Sequence, residues 1–99
     1  MIKRIVKMVF RTDATDAFLH IFEKNCEKIR AADGCISLEL VQSIDDPCIF
    51  FTVSTWEDNA ALDAYRNSDV FRSTWVATKA LFDDKPVAWS TESKRLLGP

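Results

Sequence analysis

The 99-residue chain has 15 carboxylates but one histidine, and no His, Cys, Asp and Glu cluster with metal-ligand spacing. His20 is the only histidine, and helical periodicity sets it on the polar side of its segment, away from any pocket. Cys26, Cys35 and Cys48 are odd in number and lack ligand spacing, so reduced thiols and no metal site are expected. Two glycines cannot build a phosphate-binding loop. What remains is phenol, guanidinium, amide and aromatic chemistry. Tyr65 falls on the apolar side of a short helix and carries a polar tip; it can donate to a substrate oxygen, or equally bond backbone as a core tyrosine. Arg66 beside it can pair an anionic oxygen or sit in solvent. Asn25 interrupts an apolar helical stripe, and a buried amide must find a strand carbonyl, a water or a ligand. Trp56, Phe71, Trp75 and Phe82 can wall a flat aromatic ligand or simply fill the core. Lys7, on the first strand, becomes a base only if it is desolvated.

The elements that must position these groups follow from periodicity. Ile2 to Phe10 reads as a strand, with Val6, Met8 and Phe10 on one face and Ile5, Lys7 and Val9 on the other. Thr12-Asp13 offers a helix start, and Ala14 to about Ala32 repeats helically, with Phe18, Ile21, Phe22, Cys26 and Ile29 in one stripe. Gly34 is expected to close that helix as a left-handed cap. Cys35–Gln42 and Cys48–Trp56 alternate around the turn Ser43–Pro47 and predict an antiparallel hairpin. Setting Gln42 opposite Ile49 puts Cys35 opposite Trp56, so Cys35 and Cys48 lie at opposite ends and no disulfide joins them. Thr55-x-x-Asp58 resembles a weak capping box before a short helix carrying Ala61, Leu62 and Tyr65. Asn67-Ser68 breaks it, and Ser68 caps a second helix over Asp69–Phe82 that buries Val70, Phe71, Thr74, Thr78, Leu81 and Phe82. After the turn Asp83–Pro86, Val87 to Thr91 is a last strand.

The order β-α-β-β-α-α-β predicts an α+β, ferredoxin-like domain with an antiparallel sheet, spanning 1–99 with its core at 2–92 and a tail at 93–99. Helices cover only one face of such a sheet. Whichever face the third strand turns inward, it leaves Phe51 and Val53, or Phe50 and Trp56, on the other. An apolar face of that kind predicts a homodimer packed face to face. Acids and bases are interspersed at a net charge of -2, which argues against nucleic acid as a partner. There is no run of about 18 apolar residues and no signal pattern at Met1-Ile2-Lys3-Arg4, so no membrane association and a cytoplasmic location are expected.

The stretch Phe50-Phe51-Thr52-Val53-Ser54-Thr55-Trp56-Glu57-Asp58, followed by Ala61-Leu62, Tyr65 and Ser68-Asp69-Val70-Phe71, resembles the antibiotic-biosynthesis-type monooxygenases. The resemblance in element order runs from about Ile2 to Glu92 and implies the dimeric α+β barrel fold. It further implies oxidation of a small aromatic or quinol-type molecule by dioxygen without metal or flavin. On that reading Tyr65 and Asn25 are catalytic, while Trp56, Arg66, Phe71, Trp75 and Phe82 bind substrate. The chain departs from the heme-degrading branch: Trp75 stands at the iron-binding histidine position and Tyr65 at the tryptophan position. That branch's first-strand asparagine has no counterpart between Met1 and Arg11. The histidine that quinol-oxidising relatives often carry near the second helix is also missing. A non-catalytic small-molecule-binding or stress-response dimer of the same fold is the alternative.

Overall fold

Alternation along Ile2–Val9 (β1) is the frame of the molecule, because this strand sits inside the sheet and pairs on both edges. The computed structural model describes residues 1–99. The other elements are α1 (Thr15–Arg30), β2 (Cys35–Gln42), β3 (Ile49–Trp56), α2 (Asn59–Arg66), α3 (Asp69–Lys79) and β4 (Val87–Glu92). One antiparallel sheet in the order β2-β3-β1-β4 carries the three helices, giving the expected α+β ferredoxin-like fold. No helix is long and apolar enough to cross a membrane.

Strand parity decides what lies under the helices. Met8 pairs Phe50, Val6 pairs Thr52, Arg4 pairs Ser54 and Ile2 pairs Trp56. Met8, Phe50, Ser54 and Trp56 are buried on this side. The opposite parity therefore faces away. Its central row runs Glu39, Val53, Ile5, Trp89 across the four strands, and the next row runs Val41, Phe51, Lys7, Val87. Trp89 is 46% exposed and Val87 45%. A surface this apolar is covered in stable soluble proteins.

The hairpin register differs from the simple count by one residue. Gln42 pairs Phe50 rather than Ile49, while Cys35 still meets Trp56, because a bulge between Cys35 and Ser37 absorbs the offset. Ile36 is the extra residue and turns outward, so it does not share a face with Leu38 and Leu40; both Cys35 and Leu38 can then face the helices.

Helix ends correct three expectations. Helix α1 begins at Thr15 behind Ala14, which gives no side-chain cap, and Asp13, outside the helix, meets Arg11 at 3.6 Å. The helix stops at Arg30, and Gly34 lies beyond its cap, in the turn that enters β2. There its φ of +81° is left-handed, and a Cβ would stand 2.5 Å from the Cβ of Ala61, so glycine permits both the turn and the close approach of α2. Helix α3 stops at Lys79 rather than Phe82, since Phe82 leaves it to bridge Phe10. Backbone bonds from Arg11 to Leu81 (3.2 Å) and from Asp83 to Val9 (2.8 Å) draw this segment onto the end of β1. Asp58 itself caps α2, its carboxylate accepting from Ala61 N–H at 2.8 Å, and Ser68 caps α3 by accepting from Phe71 N–H at 3.2 Å.

Candidate functional site

The buried residues form two groups rather than one. Met8, Phe10, Phe18 and Phe50 pack together at one end of the covered sheet face. Cys35, Trp56 and Leu62 pack at the other, with Tyr65 against them. Between them lies a cavity of about 320 Å³, which falls at the small end of ligand pockets. Its sheet side presents Val6, Leu38, Thr52 and Ser54. Helix α1 contributes Phe18, Phe22 and Ile29; α2 and α3 contribute Leu62, Tyr65, Phe71, Thr74, Trp75 and Thr78. The lining is mostly apolar and includes no carboxylate and no histidine.

An aromatic chain forms one wall. Trp56 and Tyr65 stack with centroids 5.0 Å apart, Tyr65 meets Phe71 edge-on at 5.4 Å, and Phe71 stacks on Trp75 at 5.9 Å. The α2–α3 corner holds this wall in place. The Ser68 hydroxyl donates to the Tyr65 carbonyl at 2.6 Å while accepting from Phe71 N–H, so one side chain links the two helices that carry the rings. Trp56 is anchored from below, its indole N–H donating to the buried Ser54 hydroxyl at 2.9 Å. The offset and edge-on arrangements are those that aromatic quadrupoles favour.

The polar groups are few. The Tyr65 hydroxyl makes no hydrogen bond within the chain, and burial, reinforced by Cys35, pushes its pKa up to about 12. It is therefore a neutral donor at physiological pH, not a base. Thr78 donates to the Thr74 carbonyl at 2.7 Å, whereas the buried Thr74 hydroxyl has no partner. Arg4 reaches the cavity from β1, donating to the Ser90 hydroxyl at 2.8 Å. Burial, and secondarily the charge of Arg66, lowers its pKa. Arg66, exposed at the last turn of α2, lines the cavity as well. No group of three or more His, Cys, Asp and Glu side chains gathers to hold a metal ion.

Of the residues singled out from sequence, Trp56, Tyr65, Arg66, Phe71 and Trp75 come together around this cavity. Asn25 does not. It is half-buried and its amide donates to the Ile21 carbonyl of its own helix at 2.8 Å, so the expected approach to a ligand is not made. Phe82 also stands outside the lining. Having left α3, it packs on Phe10 at 5.3 Å and buttresses Trp75 at 5.6 Å. Lys7 lies on the helix-free face between Phe51 and Val87, and His20 is exposed on α1, so neither addresses the cavity. Arg4 was not singled out, although it shares the parity of Val6 and Met8; an arginine in an inward row was the signal.

A family model described as antibiotic biosynthesis monooxygenase matches residues 1–75. No curated protein matches the chain. Among solved structures, an antibiotic biosynthesis monooxygenase is similar at 23% identity and a TM-score of 0.89, covering 96% of this chain and 100% of its own. Rv0793 from Mycobacterium tuberculosis is similar at 21% identity and a TM-score of 0.89, covering 98% of each chain. SnoaB, a cofactor-independent oxygenase from Streptomyces nogalater, is similar at 14% identity and a TM-score of 0.88, covering 99% of this chain and 97% of its own. At these identities the structural likeness speaks to the fold alone.

Proposed function

The chain belongs to the antibiotic biosynthesis monooxygenase family, and from that membership we propose that it is a cofactor-independent oxygenase of a small aromatic or quinol-type molecule, working as a homodimer. The observation that carries the reading is the apolar cavity of about 320 Å³ with stacked Trp56, Tyr65, Phe71 and Trp75 along one wall. Its shape and chemistry suit a flat, electron-rich ring. The likeness to SnoaB adds support. Such a ring, once deprotonated at a hydroxyl, gives an electron to dioxygen. Recombination of the two radicals forms a carbon–oxygen bond in a peroxide. The proton first given up to water returns to the outer oxygen, the ring C–H proton is lost, and the O–O bond breaks to release water and leave a ring carbonyl. A phenol and dioxygen thus give a quinone and water, one oxygen atom being retained and the other reduced.

The protein's part is to exclude water, orient the ring and stabilise the phenolate. Tyr65 is the donor suited to that oxygen, because its hydroxyl is neutral and otherwise unpartnered. The row Val53, Ile5, Trp89 on the helix-free face supports a homodimer, since a second copy would cover it. Sedimentation at micromolar concentration tests it, with Val53→Asp expected to yield monomers.

Oxygen consumption over a panel of dihydroxy aromatics is the direct test of activity. Turnover by the wild-type protein, slowed in Tyr65→Phe, is the expected outcome. The absence of both oxygen uptake and any ligand-induced thermal shift across the panel would sink the proposal. One observation favours a second reading, a non-catalytic small-molecule-binding or stress-response dimer: no histidine or carboxylate in the lining can accept a proton. A compound that raises the melting temperature without being consumed would select it.

A further inference from the structure

The cavity is apolar in its walls, yet it carries two cationic side chains and no acid to balance them. Arg4 rises from the inward row of β1, half-buried, in a position where the alternation otherwise supplies Val6 and Met8. Arg66 comes from the end of α2. Neither forms an ion pair: the salt bridges of the chain join Arg11 to Asp13, Arg72 to Asp69 and Lys94 to Glu92. Arg4 has one hydrogen bond, to a neutral serine, and keeps several N–H donors free. The two charges are close enough to repel each other.

Arg66 is exposed and keeps its hydration, but Arg4 is half-buried with no acid beside it, so an anion bound in the cavity would recover what its burial costs. The dipole of α2 explains a basic residue at its C-terminal turn, which accounts for Arg66 alone. It does not explain a second arginine on the sheet below. The unpartnered hydroxyls of Tyr65 and Thr74 add hydrogen-bonding capacity in the same lining.

We propose that Arg4 and Arg66 form an anion clamp in this cavity, selecting flat aromatic ligands that bear an ionised oxygen group, a carboxylate or an acidic phenol or enol, over neutral aromatics of the same size. The inference rests on the cavity being the ligand site and deepens the oxygenase reading. The clamp favours the deprotonated form of a bound phenol or enol. That is the form able to reduce dioxygen, and in a site with no carboxylate or histidine the arginines would assist its formation without acting as a base.

Binding calorimetry with 2-naphthoate and 2-naphthalenemethanol, a two-ring anion and its neutral counterpart, tests the clamp. The wild-type protein should bind the anion at least roughly tenfold more tightly, the preference shrinking as salt is raised. Arg66→Met and Arg4→Met should each remove most of that preference while leaving affinity for the neutral alcohol within about twofold. Arg66 is exposed, so Arg66→Met decides alone if Arg4→Met does not fold. Equal affinity for the two probes, no binding of either, or an undiminished preference in Arg66→Met overturns the proposal. Oxygen uptake is read separately: oxidation of dihydroxy aromatics without an anion preference removes the clamp and spares the oxygenase, whereas preference without any uptake does the reverse.

Discussion

At one end of the covered sheet face, Phe10 and Phe18 stack with centroids 4.2 Å apart and Phe18 meets Phe50 at 5.2 Å. None of the three is more than 3% exposed. At the other end Trp56, Tyr65, Phe71 and Trp75 contact one another in sequence, yet all but Trp56 remain partly exposed and the row borders open space. The ring spacings are alike, but the rings of the solid end are all phenylalanine and the other end mixes Trp, Tyr and Phe, and the support differs too. The solid end is closed from several sides by β1, β3, α1 and the returning Phe82 segment. The hollow end is roofed by two short helices that meet at Ser68, and the sheet beside the open space presents the smaller side chains Val6, Thr52 and Ser54. An aromatic cluster thus becomes a core or a wall according to whether a further element fills the space behind it.

Mutations can test this contrast directly. Phe50→Ala at the solid end should cost about 3–5 kcal/mol, read from denaturant midpoints. Phe71→Ala at the hollow end should cost only about 1–2 kcal/mol, because the half-buried ring already borders empty volume, while weakening ligand binding. Equal losses at the two sites would erase the distinction.

Tyr65 reports on how dry the hollow end is. Its phenol titrates at about 12 in the folded chain against 10.0 ordinarily. The folded state therefore holds the proton more tightly. The associated stability is fully present below pH 10 and is lost as the pH rises through 12, by about 3 kcal/mol at most. Tyr65 is the only tyrosine in the chain, so tyrosinate absorbance follows it alone. Titration near the ordinary value would mean that water fills the cavity. In Tyr65→Phe the part of the alkaline loss due to Tyr65 should disappear, leaving that of the buried Cys35 thiol, with little change in stability at neutral pH, since the hydroxyl has no partner within the chain.

Gly34→Ala should destabilise by about 2 kcal/mol, since it combines a left-handed backbone with a clash against Ala61 on α2. It should also weaken binding by shifting the helix that carries Tyr65. Ser68→Ala should cost about 1 kcal/mol for the lost cap and loosen the Tyr65–Phe71 contact, seen as reduced ligand affinity with the core end unchanged.

Much of the fold was legible because its signals are local. Strand parity, the Ser68 cap and the existence of every helix and strand follow from residue type and spacing. The misreadings cluster where distant groups compete with a local pattern. Phe82 was drawn out of α3 by Phe10, and the one-residue offset of the hairpin was absorbed by a bulge that only the partner strand reveals. The candidate site was half legible. Tyr65 on α2 and Phe71 on α3 each fall on the apolar side of their helix, but Asn25 lies in an apolar stripe as well and turns back on its own helix.

By itself the amino-acid sequence determined which residues prefer helix or strand and which strand positions share a face, since both depend on neighbours only a few residues away. It also settled that there is one histidine, which is a matter of composition; that none of the 15 carboxylates lines the cavity was decided by the fold. Only the tertiary structure decided which face the helices cover, where packing leaves a cavity, and that Arg4 of the first strand comes close to Arg66 of the second helix. Those outcomes depend on how volumes and charges meet across long stretches of chain, and no local periodicity encodes that meeting.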